Sequence, residues 1–555
     1  MIRIFYWCIV ITADLAYLTI TEAAELIAGR EISPVELTEA LVRRIRSLDP
    51  QINAFITVTE EFARGQARAA EKEIAAGRHR GPMHGIPFGL KDIYNTAGIL
   101  TSAHSKICIY NIPNEDASTV SKLYQAGAVL LGKLATHEFA HGGPATDLPW
   151  PPARNPWNPE HYTGGSSSGP GAAVASGFIP CALGTDTGGS IRGPASLCGV
   201  VGLRPTYGLV SRFGVMPSSF TFDTCGPMTR TVEDCAIMLQ AIAGHDPKDP
   251  ASANRPVPDY RAGLKPDLRG LRIGVIRHFW EEDLPAHEAV REAMDTALNV
   301  LSGLGAKLQI VRMRQLQDYY DVMKTIALPE LMGIHSKDLI ERPGDFSAAF
   351  RSRGALAACL FQAADYVQAQ RERSRMLMEM KQLYESHDVF VTAGDPGPAS
   401  RLDAYKAISY WQRPNMTSAF SVTGGPALVV CNGFSHGGLP LGMQVAGRPF
   451  DDATVLRVGY AYERATAWSS RRPAFIEGAQ PTPISIDSRS TGAPAIDERT
   501  LEFVRMQTER AGWGLTESQF SELSYSAPYA LAMARRVRRH FDRSDEPANV
   551  FCFPD

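Results

Sequence analysis

Thr163-Gly164-Gly165-Ser166-Ser167-Ser168-Gly169, then a run of small and apolar residues, then Gly184-Thr185-Asp186-Thr187-Gly188-Gly189-Ser190-Ile191-Arg192, is the stretch around which the chain is built. Its two Gly-Gly-Ser corners lie 24 residues apart. Glycine tolerates positive φ and lets a ligand approach the backbone closely. A serine after two glycines presents its hydroxyl at a tight corner. Pro170 to Gly177 reads as a short helix of small residues, and Ile179 to Leu183 as a buried strand. The second corner opens a further helix, with Pro194 in its first turn. A hydroxyl at a helix start, beside free backbone N–H groups, suits attack on a carbonyl.

Such a serine needs a base. Upstream, Lys91 stands in Gly85-Ile86-Pro87-Phe88-Gly89-Leu90-Lys91-Asp92, between apolar residues and a turn. Desolvation in that setting lets a lysine lose its proton. The two corners and the Lys91 box together resemble the amidase signature family. The likeness runs from about residue 15 to about residue 470, through Gly226-Pro227-Met228-Thr229-Arg230 and Gly438-Leu439-Pro440-Leu441-Gly442-Met443-Gln444.

The resemblance implies an α/β chain with the amidase signature fold, a large twisted mixed β-sheet covered on both faces by α-helices. It implies Ser190 as nucleophile, Ser166 as proton relay, and Lys91 as the neutral base that later returns the proton to the leaving amine. In the family the peptide bond at the Ser166 position is cis. Backbone N–H groups matching Thr187, Gly188, Gly189 and Ser190 form its oxyanion hole, and water hydrolyses the acyl-enzyme. Asp186 and Arg192 flank Ser190 and are expected to pair and brace the corner, with Ser168 in support. No cofactor and no metal are expected. The expected partner is a small-molecule amide, and a homodimer is usual for the family.

Composition excludes some classes. At 555 residues the chain can bury a large core. Its formal net charge of −3 gives no bulk field to recruit nucleic acid or an anionic membrane. Nine cysteines without CxxC spacing read as reduced thiols, hence a cytoplasmic protein, with Cys181 and Cys198 as packing residues. Ile4 to Ile11 form an apolar run too short to span a bilayer, and no small-x-small cleavage site follows. Residues 1–14 are therefore read as an unassigned extension ahead of a catalytic domain at 15–475. Residues 476–495 read as a linker and 496–555 as a small helical appendage, with helices over Thr500 to Ala511 and Tyr525 to Phe541. The appendage resembles the small helical partner subunit that accompanies some amidase-signature proteins. Arg535, Arg536, Arg538 and Arg539 read as a solvated helix face rather than a nucleic-acid site.

Within the body, Ser33, Pro34 and Glu36 make a capping-box start for a helix to Ser47. Helix and strand patterns alternate to residue 245 and argue α/β. After a Pro/Asp-rich linker at 246–270, strands are expected at Leu271 to Ile276, Leu308 to Val311, Val389 to Val391 and Ala427 to Cys431.

Two other chemistries match short motifs. Gly165-Ser166-Ser167-Ser168-Gly169 fits G-x-S-x-G with Ser167 as nucleophile. That elbow needs a hydrophobic strand before it, and Asn155 to Tyr162 is a Pro-broken polar loop. His137-Glu138-Phe139-Ala140-His141 fits H-E-x-x-H. Its histidines share a face only in a helix, which Gly142-Gly143-Pro144 ends at once. His137 and His141 are kept as candidates for lining the acyl pocket. Tyr319, Tyr320, Phe361 and Trp411 hint at an apolar or aryl ligand, whereas the likeness of the tail points to small polar ureides.

The expected function is a serine amidohydrolase that cleaves the C–N bond of an amide, with aryl amides, carbamates and ureas in range, to acid and amine. The alternative is the A subunit of a tRNA-dependent glutamine amidotransferase complex. Thr224, after Asp223, stands where such subunits typically carry Gln, which tilts the reading toward a free-standing hydrolase.

Overall fold

The computed structural model describes residues 15–486 and 496–537. The extension at 1–14, residues 487–495 of the linker, and the chain after 537, with Arg538 and Arg539, lie outside the described residues. Among the described residues, eleven strands form one mixed sheet: β1 (Phe55–Val58), β2 (Pro87–Lys91), β3 (Val129–Leu134), β4 (Cys181–Asp186), β5 (Val201–Arg204), β6 (Thr224–Thr229), β7 (Arg272–Val275), β8 (Lys307–Ile310), β9 (Val389–Ala393), β10 (Ala427–Phe434) and β11 (Pro440–Gly447). Their order is β1-β3-β2-β4-β6-β5-β10-β11-β9-β7-β8. β2 is parallel to β3 and β4, and β7 is parallel to β8 and β9; the other neighbours are antiparallel.

β2, β3, β4 and β9 are buried at every residue, so apolar and small residues dominate them without alternation, and the charged exceptions, Lys91, Lys133 and Asp186, are buried too. β4 starts two residues later than expected, because Pro180 has no N–H for the ladder, and runs on to Asp186. The register pairs Leu90 with Leu183, which brings the carboxyl ends of β2 and β4 together.

Helix α1 (Pro34–Ile52) starts as the sequence predicts. Ser33 Oγ accepts from the Glu36 N–H (3.1 Å), and Glu36 returns an acceptor to the Ser33 N–H (2.8 Å). It runs beyond Ser47 and through Pro50, its last turns held by buried Leu48 and Ile52. Helices α2 (Ser168–Ala175) and α3 (Arg192–Cys198) follow the two Gly-Gly-Ser corners. Every residue of α2 is buried, so its small side chains let it pack close against the sheet.

Two long helices, α4 (Leu316–Glu341) and α5 (Ala363–Ser386), pack against each other over the second half of the chain. The C-terminal pair, α6 (Glu498–Arg510) and α7 (Glu517–Arg536), returns to this region. α7 buries Leu523, Ala527, Ala530 and Met533 against α4 and the segments Arg351–Ala355 and Ala357–Leu360. No described helix is long and apolar enough to cross a membrane.

Candidate active site

Lys91 closes β2 with its side chain fully out of solvent. Its Nζ has two hydroxyl neighbours, Ser166 Oγ at 2.7 Å and Thr185 Oγ1 at 2.8 Å. Burial, against the pull of Asp223 and Asp186, pushes its pKa down to about 7. Ser166 is buried and follows a cis peptide bond from Gly165. The two corners are tied directly, since the Ser167 N–H donates to the Ser190 carbonyl (3.1 Å). Ser168 opens α2, with its hydroxyl on the Ala135 carbonyl (3.3 Å). The sequence thus anticipates Lys91, Ser166 and Ser190 as one neighbourhood but gives no sign of Thr185, an inconspicuous letter inside the Gly-Thr-Asp box.

Asp186 ends β4 and holds the second corner in shape. Its Oδ1 accepts from the Gly189 N–H (2.8 Å) and Arg192 Nη2 (2.9 Å), and its Oδ2 accepts from Arg192 Nε (3.0 Å) and the Ile191 N–H (3.2 Å). Arg192 spends its remaining donors on Thr417 O, Gln444 Oε1 and Ser421 Oγ. Burial alone would raise the Asp186 carboxyl, but Arg192 and then Arg204 outweigh it and hold it well below the usual carboxylate range. This bracing matches the pairing expected from sequence.

It also changes the set of free donors. The Gly189 N–H, expected among the oxyanion donors, is committed to Asp186. Among the described residues, the N–H groups of Thr187, Gly188 and Ser190 have no protein acceptor. The Gly188 carbonyl is turned the other way, toward Thr417 Oγ1 (2.7 Å) and Asn415 Nδ2 (3.2 Å). Gly189 has φ +123°, and a Cβ there would lie 2.2 Å from Thr417 Oγ1, so the corner accepts no other residue.

Ser190 and Thr187 face a cavity of about 200 Å³. Gly164 and Gly165 line it beside them, and Lys324 of α4, Arg353, Asp395 and Tyr410 line it farther along the chain. His141 also lines it, with Nε2 3.0 Å from the Arg353 carbonyl. His137 does not. It lies behind Gly165, where a Cβ would meet its ring at 2.0 Å, and stacks on Tyr162 at 5.8 Å between centroids. Burial lowers both imidazoles well below the ordinary histidine value.

The other motif readings separate on geometry. Ser167 Oγ donates to the Thr185 carbonyl (3.2 Å) and is wholly buried, which removes it as an elbow nucleophile. His137 to His141 is not an α-helix, because Phe139 and Ala140 have positive φ (47° and 59°). Glu138 turns away to accept from Ser105 Oγ (2.6 Å) and Ser347 Oγ (2.6 Å). Tyr319, Tyr320 and Trp411 are core residues, the last with its indole N–H on Ser352 O (3.0 Å), and Tyr410 rather than Trp411 faces the cavity. Lys324, Arg353 and Asp395 belong to no motif in the sequence; the one available signal is a lone lysine in the apolar run Val322-Met323-Lys324-Thr325-Ile326.

The family model described as Amidase matches residues 36–456. The A subunit of the glutamyl-tRNA(Gln) amidotransferase of Roseiflexus sp. (strain RS-1) is 40% identical over 481 residues, covering 82% of this chain and 98% of that protein. Among solved structures, one reported as an unexpected vestigial protein complex that reveals the evolutionary origins of an s-triazine catabolic enzyme superposes with TM-score 0.75 at 32% identity, over 80% of this chain and 98% of that one. The peptide amidase of Stenotrophomonas maltophilia superposes with TM-score 0.70 at 32% identity, over 82% of this chain and 98% of that one.

Proposed function

The chain belongs to the amidase signature family, and from that premise we propose that it hydrolyses the C–N bond of a linear amide through an acyl-enzyme on Ser190. The observation that carries this reading is the setting of Lys91. It is fully buried, and among the described residues its Nζ has two hydroxyls and no carboxylate within ion-pair reach. A purely structural buried lysine is expected to be paired. Lys133 is: it lies 3.2 Å from Asp92 and donates to Tyr94 O and Thr101 Oγ1.

In this reading the neutral Lys91 amine takes the Ser166 hydroxyl proton as Ser166 takes the proton of Ser190. The freed Ser190 Oγ bonds the amide carbon. The oxyanion that forms is stabilised by the free N–H groups of Thr187, Gly188 and Ser190, each worth roughly 100- to 1000-fold in rate. The C–N bond breaks as the proton returns through Ser166 to the leaving nitrogen. Water then repeats the sequence on the acyl-enzyme.

The test is ammonia release from simple amides by the purified chain alone, beside Ser190→Ala. Turnover without any partner, lost at least about 1000-fold in folded Ser190→Ala, supports the reading. A second reading is favoured by the 40% identity that spans nearly the whole A subunit of the Roseiflexus amidotransferase. Ammonia released only from glutamine, and only when partner subunits and charged tRNA are added, would replace the first reading with that one. The α6–α7 pair, part of this same chain and seated on α4 and Arg351–Leu360, supports the first.

A further inference from the structure

We propose that the cleft takes an amide bearing a carboxylate, and that Lys324 and Arg353 hold that carboxylate. The inference rests on the reading of Ser190 as nucleophile and names the substrate class of the same cleft. Lys324 points from α4 into the cavity and is 8% exposed. Among the described residues its Nζ has no hydrogen-bond acceptor and no carboxylate partner. It has only two ring faces, Tyr410 at 3.7 Å and Tyr320 at 4.9 Å from their centroids. A cation–π contact returns less than stripping water from an ammonium costs.

Arg353 shows the same deficit. Its Nη1 donates to Gly142 O (2.9 Å) and Tyr405 Oη (3.3 Å), its Nε is buried without a partner, and no described carboxylate pairs with it. Its Cζ lies 4.5 Å from the centroid of the same Tyr410 ring that meets Lys324. Two basic groups therefore share one ring and one cavity, and both lack a countercharge. The single carboxylate on the wall, Asp395, pairs with neither. Burial, and then Arg353, hold the Lys324 amine well below its ordinary value, so a bound carboxylate supplies what is missing and draws a proton onto it. A bound carboxylate meets the charge of the Arg353 guanidinium, and the ammonium of Lys324 supplies a point charge beside it. Ser190 lines the same cavity, so an amide held there by its carboxylate is presented to the nucleophile.

The test is calorimetric titration of the full chain with succinate and with the neutral isostere succinamide, repeated on Lys324→Met and, separately, on Arg353→Gln. Each variant is first checked for unchanged circular dichroism. The expected result is succinate binding that weakens at least about 10-fold in each folded variant, with succinamide binding unaltered. Succinate that binds no better than succinamide to the wild-type chain, or equally well to wild type and both folded variants, overturns the proposal. The readout needs no turnover, and Ser190→Ala is expected to keep succinate binding. Failure of the hydrolase reading, seen as no ammonia from succinamate by wild type, is thus distinguishable from failure of the anion site.

Discussion

Lys91 Nζ stands 2.8 Å from Thr185 Oγ1, as close as the 2.7 Å to Ser166 Oγ. A neutral amine has two hydrogens and one lone pair. A hydrogen given to Thr185 leaves the lone pair to be aimed at Ser166, so Thr185 acts as a positioning residue. Thr185→Val keeps the shape and removes the acceptor. Loss of such a bond costs about 1–3 kcal/mol, and kcat should fall roughly 10- to 100-fold with KM little changed. Thr185→Ser should restore most of the loss. A valine variant with unaltered kcat would show that Ser166 alone orients the amine.

The pH dependence follows from the same lysine. The reactive form is the neutral amine, so kcat/KM should rise with pH about a midpoint near 7 and fall away below it. Stability carries the complementary sign. The folded value lies below the ordinary lysine value of 10.5, so between about 7 and 10.5 the unfolded chain binds a proton that the folded chain does not. Stability from this group is lowest below pH 7 and recovers as pH rises toward 10.5. Lys91→Met should therefore be inactive yet more stable than wild type at pH 6, with the gain fading by pH 10. Urea titrations of the pair at both pH values check the sign.

Much of this neighbourhood is legible in sequence because backbone constraints write themselves into residue types. Gly164-Gly165 and Gly189 mark corners where a Cβ would collide with a neighbour, and Ser33 with Glu36 announces a helix start. The strands β5, β6 and β11 are less legible, since β5 is only four residues long, Pro227 interrupts β6 and Pro440 opens β11, and a proline argues against a strand. Of the cavity wall beyond the two corners, the sequence anticipates His141 but not its basic groups. Lys324, Arg353 and Tyr410 meet only through tertiary packing of segments distant in sequence. The same holds for His137, which spacing makes a pocket candidate; the positive φ values at Phe139 and Ala140 turn it behind Gly165.

Asp186 is the residue whose loss should do most damage to the fold near the site. Its carboxylate is the shared partner of Arg192 and Arg204, all three fully buried. Asp186→Asn preserves shape but leaves two guanidinium groups without countercharge. Breaking a buried pair by removing one partner costs about 3–5 kcal/mol. The urea midpoint should drop accordingly, and activity should fall steeply, because whichever oxygen becomes an NH2 then faces donors, Gly189 N–H with Arg192 Nη2 or Ile191 N–H with Arg192 Nε, and the corner relaxes. Since Arg192 and Arg204 keep the carboxyl well below its usual range, wild type should retain this contribution until strongly acid pH.

The C-terminal helix α7 grips the cavity wall close to Lys324, Arg353 and Tyr410. Arg536 pairs with Asp321 (2.6 Å), one turn before Lys324. Glu522 pairs with Arg351 (3.2 Å), two residues before Arg353. Tyr529 Oη accepts from Gln412 Nε2 (3.3 Å), two residues after Tyr410. None of these contacts touches β2 or β4, on which Lys91 and Thr185 stand. Loosening α7 should therefore disturb binding and spare chemistry. Glu522→Gln leaves the half-buried Arg351 without its charge partner, and Arg536→Ala does the same to Asp321. Each should raise KM several-fold while kcat stays within about twofold, the pattern of lost ground-state positioning. Arg536→Lys should recover part of the KM because it restores the charge to Asp321. Equal losses in kcat and kcat/KM would instead mean that α7 supports the reacting groups themselves, and unchanged constants in both variants would mean that the wall stands without it.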